Sequence, residues 1–318
     1  MKQNGQNSYN PLAHANSIVV KVGTALVFDE ATREPRLDWM KALATDIVAL
    51  REAGKEVTLV SSGAIALGRM KLQETKPKTD MSVAEKQAMA AVGQQELMRL
   101  WDEAFKPHGI AAAQLLLTKN DFKNGFVADI KQQFRSYGRK ILPRLFPDEE
   151  SPKANIRHTI GALHGRNTVV VVNENDATAT DEIKFGDNDR LGALVAKLVK
   201  AQAYVILSDI KGLYTANPQT NPEAKLVPVV ERIDSSIRGM ASGPTSHGSS
   251  GGMISKIQAA EIATKAGCAV MICQGNQTSP LSALQAGGAH TLFQAGSVPA
   301  RPQAAAQLAL SARPDTLR

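Results

Sequence analysis

The sequence predicts an α/β fold, in which helices cover both faces of a mostly parallel sheet. Short runs rich in valine, isoleucine and leucine, typical of buried strands, alternate along the 318 residues with longer stretches of helical spacing. Strands and helices that alternate in this way form parallel sheets, because each connecting helix returns the chain to the same edge. Hydrophobic residues make up 43% of the chain and aromatic residues only 4%, which suits a sizeable core of closely packed helices and strands.

The predicted strands and helices follow one another in a regular order. Strands are expected at residues 17–22, 57–60, 110–117, 169–172, 204–207 and 269–273. Helical spacing predicts helices at residues 37–53, 64–69, 81–105, 189–200 and 254–266, and a last element is expected near residues 280–286. Gly54 and Gly267 stand where helix-ending glycines are common. Gly93 allows the segment 81–105 to be two helices that meet there.

The two ends of the chain depart from this pattern. Residues 1–16 are polar and lack the apolar core of a signal peptide, so a disordered extension is predicted. Residues 297–318 are rich in proline, alanine and glutamine and predict a poorly ordered tail. One domain is therefore expected over residues 17–296.

An insertion at about residues 123–153 is predicted to hold a basic amphipathic helix followed by a loop. Its apolar residues recur at roughly helical intervals, and its lysines and arginines lie mostly off that stripe. The favoured interpretation is a helix that packs on the domain and exposes a solvated charged face. A contact with a membrane or with RNA is the alternative.

The net charge of +7 points to nucleic acid or to anionic substrates. The sequence has no motif that combines basic and aromatic residues for RNA binding, so an enzyme for anionic substrates is favoured. No apolar run reaches the roughly 18 residues of a membrane span. Cys268 and Cys273 lie in apolar sequence and would face opposite sides of a strand, so neither a disulfide nor a zinc site is expected. A reducing cytoplasm is consistent with this pattern.

Residues 169–189 form the stretch around which the functional prediction is built. Four consecutive valines predict a strand buried on both faces, and residues 173–189 then hold six acidic residues and three asparagines. Ligands of open α/β sheets bind in the crevice beyond the carboxyl ends of the strands. This acidic, amide-rich loop is therefore predicted to hold a small polar ligand, and an ordinary solvated turn is the alternative.

Three glycine-bearing loops are suited to phosphate or carboxylate groups. The first, K-V-G-T at residues 21–24, combines a backbone that an anion can approach with a nearby ammonium group. The second, S-S-G-A at residues 61–64, turns from a strand into a helix whose free amides can receive an anion, although an ordinary serine N-cap explains it equally well. The third, residues 246–256, is small and flexible and leads into a helix with Lys256 in its first turn, as in a flap over a nucleotide.

These loops together predict phosphoryl transfer. In that chemistry a protein mainly positions the reactants and neutralises charge on the transferred group. Lys21 and Lys256 come from distant segments and supply positive charge, and the acidic loop supplies a second, polar side. No Ser-His-Asp or Cys-His combination competes with this interpretation.

A series of motifs resembles one enzyme family. K-V-G-T, S-S-G-A-I, A-V-G-Q, L-L-L-T, N-E-N-D-A, K-F-G-D-N-D, G-L-Y-T-A-N-P and S-G-G-M-I-S-K, in this order, closely resemble the motifs of glutamate 5-kinases in the amino acid kinase superfamily. The resemblance covers roughly residues 17–293 outside the insertion. It implies a three-layer αβα sandwich around a mostly parallel sheet. The implied reaction converts ATP and L-glutamate into γ-glutamyl phosphate and ADP, the first step of proline biosynthesis.

The same resemblance implies partners for the enzyme. Mg²⁺ would travel with ATP, and no dedicated metal site of protein ligands is expected. The protein is expected to be a cytoplasmic homo-oligomer with no nucleic acid or membrane partner, and proline is a possible feedback inhibitor. Because a carboxylate substrate is already ionised near pH 7, no general base is needed.

The resemblance also implies roles for individual residues. The catalytic set would be two lysines that stabilise the transferring phosphoryl group and a carboxylate that orients them, namely Lys21, Lys256 and Asp189. The residues that would contact L-glutamate are Ser62, Gly63, Asp176, Asp187 and Asn188. The residues that would contact the nucleotide are Lys21, Gly23, Thr24, Ser208, Asp209, Ser250, Gly251, Gly252, Met253, Ile254, Ser255 and Lys256.

Several positions depart from the family pattern. Ala25 stands where the family usually has serine, Ser250 and Ser255 where it has threonine, and Asn217 where it has aspartate. The insertion follows L-L-L-T, in a loop that the family links to proline feedback, so feedback control is left open. The C-terminal PUA domain of many bacterial members is expected to be absent. The remaining alternatives are a non-catalytic regulatory homologue, a kinase for another acidic amino acid, and a kinase with an added interaction module.

Overall fold

The computed structural model describes residues 10–122, 151–179, 185–241 and 252–296. Its helices are α1 (Pro11–His14), α2 (Thr24–Val27), α3 (Leu37–Glu52), α4 (Ala64–Lys71), α5 (Val83–Phe105), α6 (Pro152–His164), α7 (Asn188–Val199), α8 (Ser235–Met240), α9 (Met253–Lys265) and α10 (Pro280–Gln285). Its strands are β1 (Ser17–Val22), β2 (Phe28–Asp29), β3 (Glu34–Pro35), β4 (Glu56–Ser61), β5 (Ala111–Leu117), β6 (Thr168–Glu174), β7 (Ala203–Ser208), β8 (Val229–Val230), β9 (Ala269–Gln274) and β10 (His290–Phe293).

Eight strands of the described ranges form one sheet, in the order β5-β6-β4-β1-β7-β9-β10-β8. Its neighbouring strands are parallel, except that β9 and β10 are antiparallel. Strands β2 and β3 form a separate antiparallel pair. The mostly parallel sheet that the alternating pattern predicted is confirmed. Strands β8 and β10, only two and four residues long, were not predicted from the sequence.

Two hydrophobic layers enclose the sheet. Helices α3, α5 and α10 cover one face, and α6, α7 and α9 cover the other. Successive residues of a strand point to opposite faces, so Val20 of β1 packs in the first layer and Val19 in the second. Cys273 and Cys268 lie in the first and second layers respectively, as predicted, and both are buried and free. The result is a three-layer αβα sandwich.

The parallel strands bring their carboxyl ends to one edge of the sheet. Val22, the last residue of β1, is in register with Ser61 of β4 and with Leu207 of β7. Leu117 of β5 is in register with Glu174 of β6. The loops that follow these strands therefore open side by side, where ligands of such sheets bind.

Helix α5 corrects the prediction that the chain divides into two helices at Gly93. The helix is continuous from Val83 to Phe105. A Cβ atom at Gly93 would lie 1.7 Å from the carbonyl oxygen of Ala64, and one at Gly68 would lie 1.9 Å from that of Met89. The two glycines therefore let α4 and α5 pack backbone against backbone, and Gly93 marks a close crossing of helices.

The N-terminal region corrects a second prediction, because the disordered extension expected over residues 1–16 is wrong for residues 10–16. These residues include the short helix α1, and Leu12 is fully buried in the core. The side chain of Asn10 accepts a hydrogen bond from the Leu12 amide, and Lys55 Nζ donates to the carbonyl oxygens of Ala13 and Ala15.

Three other predictions fall wholly or mostly outside the described residues. They are the extension at residues 1–9, the tail at 297–318 and the insertion helix, of whose span the structure describes only residues 151–153. There Ser151 accepts a hydrogen bond from the Ala154 amide and caps the first turn of α6. No helix in the described ranges is long and apolar enough to cross a membrane.

Candidate active site

Asp189, in the first turn of α7, holds two lysines by its carboxylate. Lys21 Nζ lies 2.5 Å from Asp189 Oδ1, and Lys256 Nζ lies 3.0 Å from Asp189 Oδ2. Asp189 is fully buried, and the two lysines are 7% and 6% exposed. Buried ion pairs add little net stability, because desolvation offsets much of their attraction. The arrangement is therefore better explained as a way to hold two ammonium groups side by side.

The fold brings these three residues together from separate segments. Lys21 lies two residues after Val19 on β1, and the alternation of a strand points both towards the layer of α7 and α9. Lys256 lies in the first turn of α9, which packs against α7. The starts of both helices thus meet the carboxyl end of β1.

Backbone contacts fix the position of Asp189. The Asp187 carboxylate caps α7 by accepting a hydrogen bond of 2.7 Å from the Asp189 amide. Tyr204, fully buried on β7, donates its hydroxyl to the Asp189 carbonyl oxygen at 2.9 Å. A Cβ atom at Gly192 would lie 2.3 Å from this hydroxyl, so the glycine of α7 makes room for it.

Asp187 and Asp189 have pKa values shifted in opposite directions. Burial acts to raise the pKa of Asp189, but the charges and hydrogen bonds of Lys21 and Lys256 outweigh it and lower that pKa. Burial raises the pKa of Asp187, and the neighbouring Asp189 carboxylate adds to the rise. Asp189 therefore stays ionised at pH values at which Asp187 takes up a proton.

A neutral network of hydrogen bonds lies on the other side of Asp187. Asn188 Nδ2 donates to Ser62 Oγ at 2.8 Å and to Asn173 Oδ1 at 2.9 Å. Asn173 Nδ2 in turn donates to Gln94 Oε1 at 2.8 Å. The network joins the end of β4, the end of β6, the start of α7 and the middle of α5. We call these four side chains the amide network.

Two acceptor atoms, one in this network and one on the neighbouring Asp187, have no partner. Within the described residues, Asn188 Oδ1 and Asp187 Oδ2 are buried side-chain oxygens without a hydrogen bond. A buried acceptor without a partner costs free energy, so such atoms are expected to be satisfied by a bound group. Two oxygens, one of them on a carboxylate, suit a ligand ammonium group.

Comparisons with known proteins identify the family of this chain. The sequence model described as "Amino acid kinase family" matches residues 16–274. The chain belongs to the amino acid kinase family. Among curated relatives, a glutamate 5-kinase of Caulobacter vibrioides (strain NA1000 / CB15N) is 45% identical over 288 residues, which cover 90% of this chain and 69% of the relative. A glutamate 5-kinase of Ruegeria sp. (strain TM1040) is 43% identical, over 91% of this chain and 71% of the relative.

Solved structures of more distant proteins share the amino acid kinase fold. UMP kinase from Ureaplasma parvum has a TM-score of 0.57 and 12% identity, over 88% of this chain and 98% of that chain. Isopentenyl phosphate kinase from T. acidophilum has a TM-score of 0.53 and 13% identity, over 87% of this chain and 100% of that chain. At this identity the likeness concerns the fold alone.

The kinase loops predicted to contact phosphate lie at the same edge of the sheet. Gly23 precedes α2, and a Cβ atom there would lie 3.8 Å from Lys21 Nζ, so this backbone flanks the ammonium group. Half-buried Thr24 is the first residue of α2. Gly63 precedes α4 with a φ of 117°, a left-handed conformation that favours glycine.

The residues predicted to contact the nucleotide lie at the ends of β7 and α9. Ser208 is the last residue of β7, and its hydroxyl donates to Asp209 Oδ1 at 2.9 Å. Gly252 caps α9, followed in its first turn by Met253, exposed Ile254 and Ser255. Ser255 Oγ donates to Asp189 Oδ2 at 3.4 Å, which connects this turn to the lysine pair. Ser250 and Gly251 lie outside the described residues.

Asp176 is the last of the residues predicted to contact the substrate. Asp176 lies half-buried in the turn that follows β6, and β6 is the strand that supplies Asn173 to the amide network. Two hydrogen bonds hold the same acidic loop. Glu174 accepts a hydrogen bond from the Phe185 amide, and Gln87 Nε2 donates to the Ala179 carbonyl oxygen.

No individual role was predicted from sequence for Gln87, Gln94, Asn173 or Glu174. Gln87 and Gln94 lie seven residues apart on α5, two helical turns, so both reach the acidic loop from one side. The available signal was the motif A-V-G-Q, whose last residue is Gln94. Nothing in its local pattern indicates which distant side chain a glutamine meets.

Proposed function

We infer that this chain catalyses the ATP-dependent phosphorylation of the γ-carboxylate of L-glutamate, which gives γ-glutamyl phosphate and ADP and begins proline biosynthesis. The observation that carries this inference is the pair Lys21 and Lys256 on the buried Asp189 carboxylate, beside unpaired acceptors that suit an ammonium group. Relatives named glutamate 5-kinase, at 43–45% identity over about nine-tenths of the chain, support the choice of substrate.

The proposed chemistry needs charge neutralisation rather than proton removal. A γ-carboxylate oxygen of glutamate attacks the γ-phosphorus of ATP, and the bond from that phosphorus to the oxygen bridging to ADP breaks. Because the carboxylate is ionised near pH 7, no proton has to leave it. Lys21 and Lys256 stabilise the negative phosphoryl oxygens, and Asp189 holds the lysines in place before the reaction, so little reorganisation is required.

The amide side of the site is proposed to bind the rest of the substrate. Asn188 Oδ1 and Asp187 Oδ2 would accept hydrogen bonds from the α-ammonium group, with Asp176 contributing from the turn after β6. The free amides at the start of α4, after Ser62 and Gly63, suit a substrate carboxylate. This assignment leaves each charged group of glutamate facing a complementary group of the protein.

The nucleotide is proposed to lie over the starts of α2 and α9 and the end of β7. The residues of this surface in the described ranges are Gly23, Thr24, Ser208, Asp209, Gly252, Met253, Ile254 and Ser255, and Ser250 and Gly251 are proposed from sequence. Mg²⁺ is proposed to arrive with ATP as part of the substrate. Within the described residues, no group of three or more His, Cys, Asp and Glu side chains is arranged as a metal site.

A hydroxamate assay tests the proposed function. The protein is incubated with MgATP, hydroxylamine and L-glutamate, and aspartate or N-acetylglutamate replaces glutamate in parallel reactions. We expect ATP-dependent hydroxamate formation with the highest kcat/KM for glutamate. No signal with any substrate at high enzyme concentration would favour the non-catalytic regulator. A higher kcat/KM for one of the other two would assign a different acidic amino acid.

Several partner predictions accompany this function. We propose a cytoplasmic homo-oligomer whose kinase unit spans residues 17–296, and the family match over residues 16–274 supports the greater part of that span. Proline is proposed as a possible feedback inhibitor, and the insertion at residues 123–153 is the element whose deletion should change that response. Rates measured with and without proline, on the full chain and on the deletion variant, test this.

A further inference from the structure

Gln94 joins the amide network through its contact with Asn173. It belongs to the A-V-G-Q motif on α5, and the proposed function gives it no role. Its side chain is 9% exposed, and its Oε1 accepts the hydrogen bond from Asn173 Nδ2. Its Nε2 is buried without a hydrogen bond in the described structure. Gln94 thus acts on its neighbours through the acceptor end of its amide.

The contact with Gln94 determines which way two other amides point. An asparagine side chain has a donor end and an acceptor end, and the two cannot exchange without a rotation of the amide. Because Asn173 directs Nδ2 to Gln94, its Oδ1 faces Asn188. Asn188 then directs its own Nδ2 to Asn173 and Ser62, which leaves Oδ1 as the end that has no partner.

We propose that Gln94 is a positioning residue that makes Asn188 present an oxygen, rather than an NH₂ group, to the α-ammonium group of the substrate. The proposal rests on the proposed function, since it concerns the same substrate. If Asn173 turned its amide around, its Nδ2 would meet Asn188 Nδ2, donor against donor. Asn188 would then relieve the conflict by turning, and its NH₂ group would face a cationic ligand.

Contacts on either side of Gln94 fix the position of its backbone. The adjacent Gly93 lies against the backbone of α4, with no space for a Cβ atom. Two turns further along α5, fully buried Trp101 donates its Nε1 hydrogen to Ser61 Oγ at 3.0 Å. Both contacts connect α5 to the segment that carries Ser62, so the two ends of the amide network are held by the same pair of elements.

The experiment compares three variants with the wild-type chain. Gln94→Met keeps the length of the side chain and removes the acceptor. Gln94→Glu keeps an acceptor for Asn173 Nδ2 and replaces the Nε2 donors, which have no partner, by a second carboxyl oxygen that can carry a negative charge. Gln95→Met makes the same chemical change at the next residue of α5, which is exposed, and serves as the matched control.

Each enzyme is assayed with L-glutamate and with glutarate, which has the same two carboxylates but no amino group. We expect Gln94→Met to raise KM for glutamate at least about tenfold, with kcat within about threefold of wild type. Its kcat/KM for glutarate should change much less, because glutarate has no ammonium group to recognise. Gln94→Glu should recover most of the affinity for glutamate, and Gln95→Met should match the wild type.

Several outcomes would overturn the proposal. They are an unchanged KM in Gln94→Met, an equal loss for glutamate and glutarate, an effect on kcat alone, and equal damage in Gln94→Met and Gln94→Glu. If Gln94→Met fails to fold, Gln94→Asn is used instead, because its side chain is one methylene shorter and its amide oxygen lies farther from Asn173 Nδ2. The same outcomes then apply. Failure of the proposed function is separate, because the wild type would then show no activity with glutamate.

Discussion

The two sides of the site handle polar groups in opposite ways. On the proposed phosphoryl side, Lys21 and Lys256 share the single Asp189 carboxylate, so each lysine is ion-paired within the protein while one positive charge remains in excess. On the amino acid side, neutral amides bond to one another and leave Asn188 Oδ1 and Asp187 Oδ2 without partners. The first side thus carries a net positive charge that is held by ion pairs within the protein, whereas the second side is built of neutral amides and leaves acceptor atoms for a ligand.

This difference indicates how the two sides divide the work. Charges that are already in place can stabilise a transition state without reorganisation, so damage to the phosphoryl side should lower kcat. Unpaired acceptors gain partners when the substrate binds, so damage to the amide side should raise KM. Variants that affect one kinetic constant and not the other therefore test the division.

The largest effect is expected from Lys256→Ala. Removing one of two ammonium groups that face the transferred phosphoryl group should lower kcat by about 10³-fold, with little change in KM for glutamate. Initial rates by the hydroxamate assay measure this. Lys265→Ala, which removes an exposed lysine from the last turn of the same helix, is the control and should retain normal turnover. Near-normal turnover in Lys256→Ala would remove Lys256 from the phosphoryl side.

Asp189→Asn should have the next largest effect. The substitution leaves two buried lysines around a neutral amide, so they repel one another and lose their common anchor. We expect kcat to fall by about 10²-fold and the free energy of unfolding to fall by about 3–5 kcal/mol, as for other broken buried ion pairs. Kinetics and urea denaturation measure the two effects. Unchanged stability together with normal kcat would contradict the anchoring role.

Asn188→Ala should affect the amino acid side with a smaller change. The variant removes the proposed acceptor of the α-ammonium group, and a hydrogen bond to a charged group contributes about 1.5–3 kcal/mol. KM for glutamate should therefore rise by about 10- to 100-fold, while kcat falls far less than in Lys256→Ala. A loss confined to kcat would show that the two sides are not divided as proposed.

The fold was largely predictable from sequence, because it depends on local patterns. The valine run at residues 169–172 and the apolar run at 204–207 are strands at the expected places, and their order defines a parallel sheet. Gly93 was misread, because a glycine within a helix can mark either an end or a close crossing. Only the facing carbonyl oxygen of Ala64, 29 residues away in sequence, decides between them.

The site was only partly predictable. Resemblance singled out Lys21, Asp189 and Lys256, and the structure places them in contact. The partner of Asn173 could not be inferred in the same way, because Gln94 lies 79 residues away and the two side chains meet only in the folded chain. The direction of each hydrogen bond in such a network depends on neighbours in three dimensions, so it cannot be predicted from the motif residues alone.

The pH dependence of glutamate use is the most subtle test of the two sides. Because burial and Asp189 raise the pKa of Asp187 above its ordinary value of 3.8, Asp187 takes up a proton at a higher pH than an exposed aspartate does. The lysines lower the pKa of Asp189, which stays ionised over the same range.

As pH falls towards the raised pKa of Asp187, kcat/KM for glutamate should fall through loss of affinity, approaching tenfold per pH unit below that pKa. In Asp187→Asn, kcat/KM should be lower throughout and this part of the slope should vanish. An unchanged slope in that variant would assign the titration to another group, such as the substrate itself.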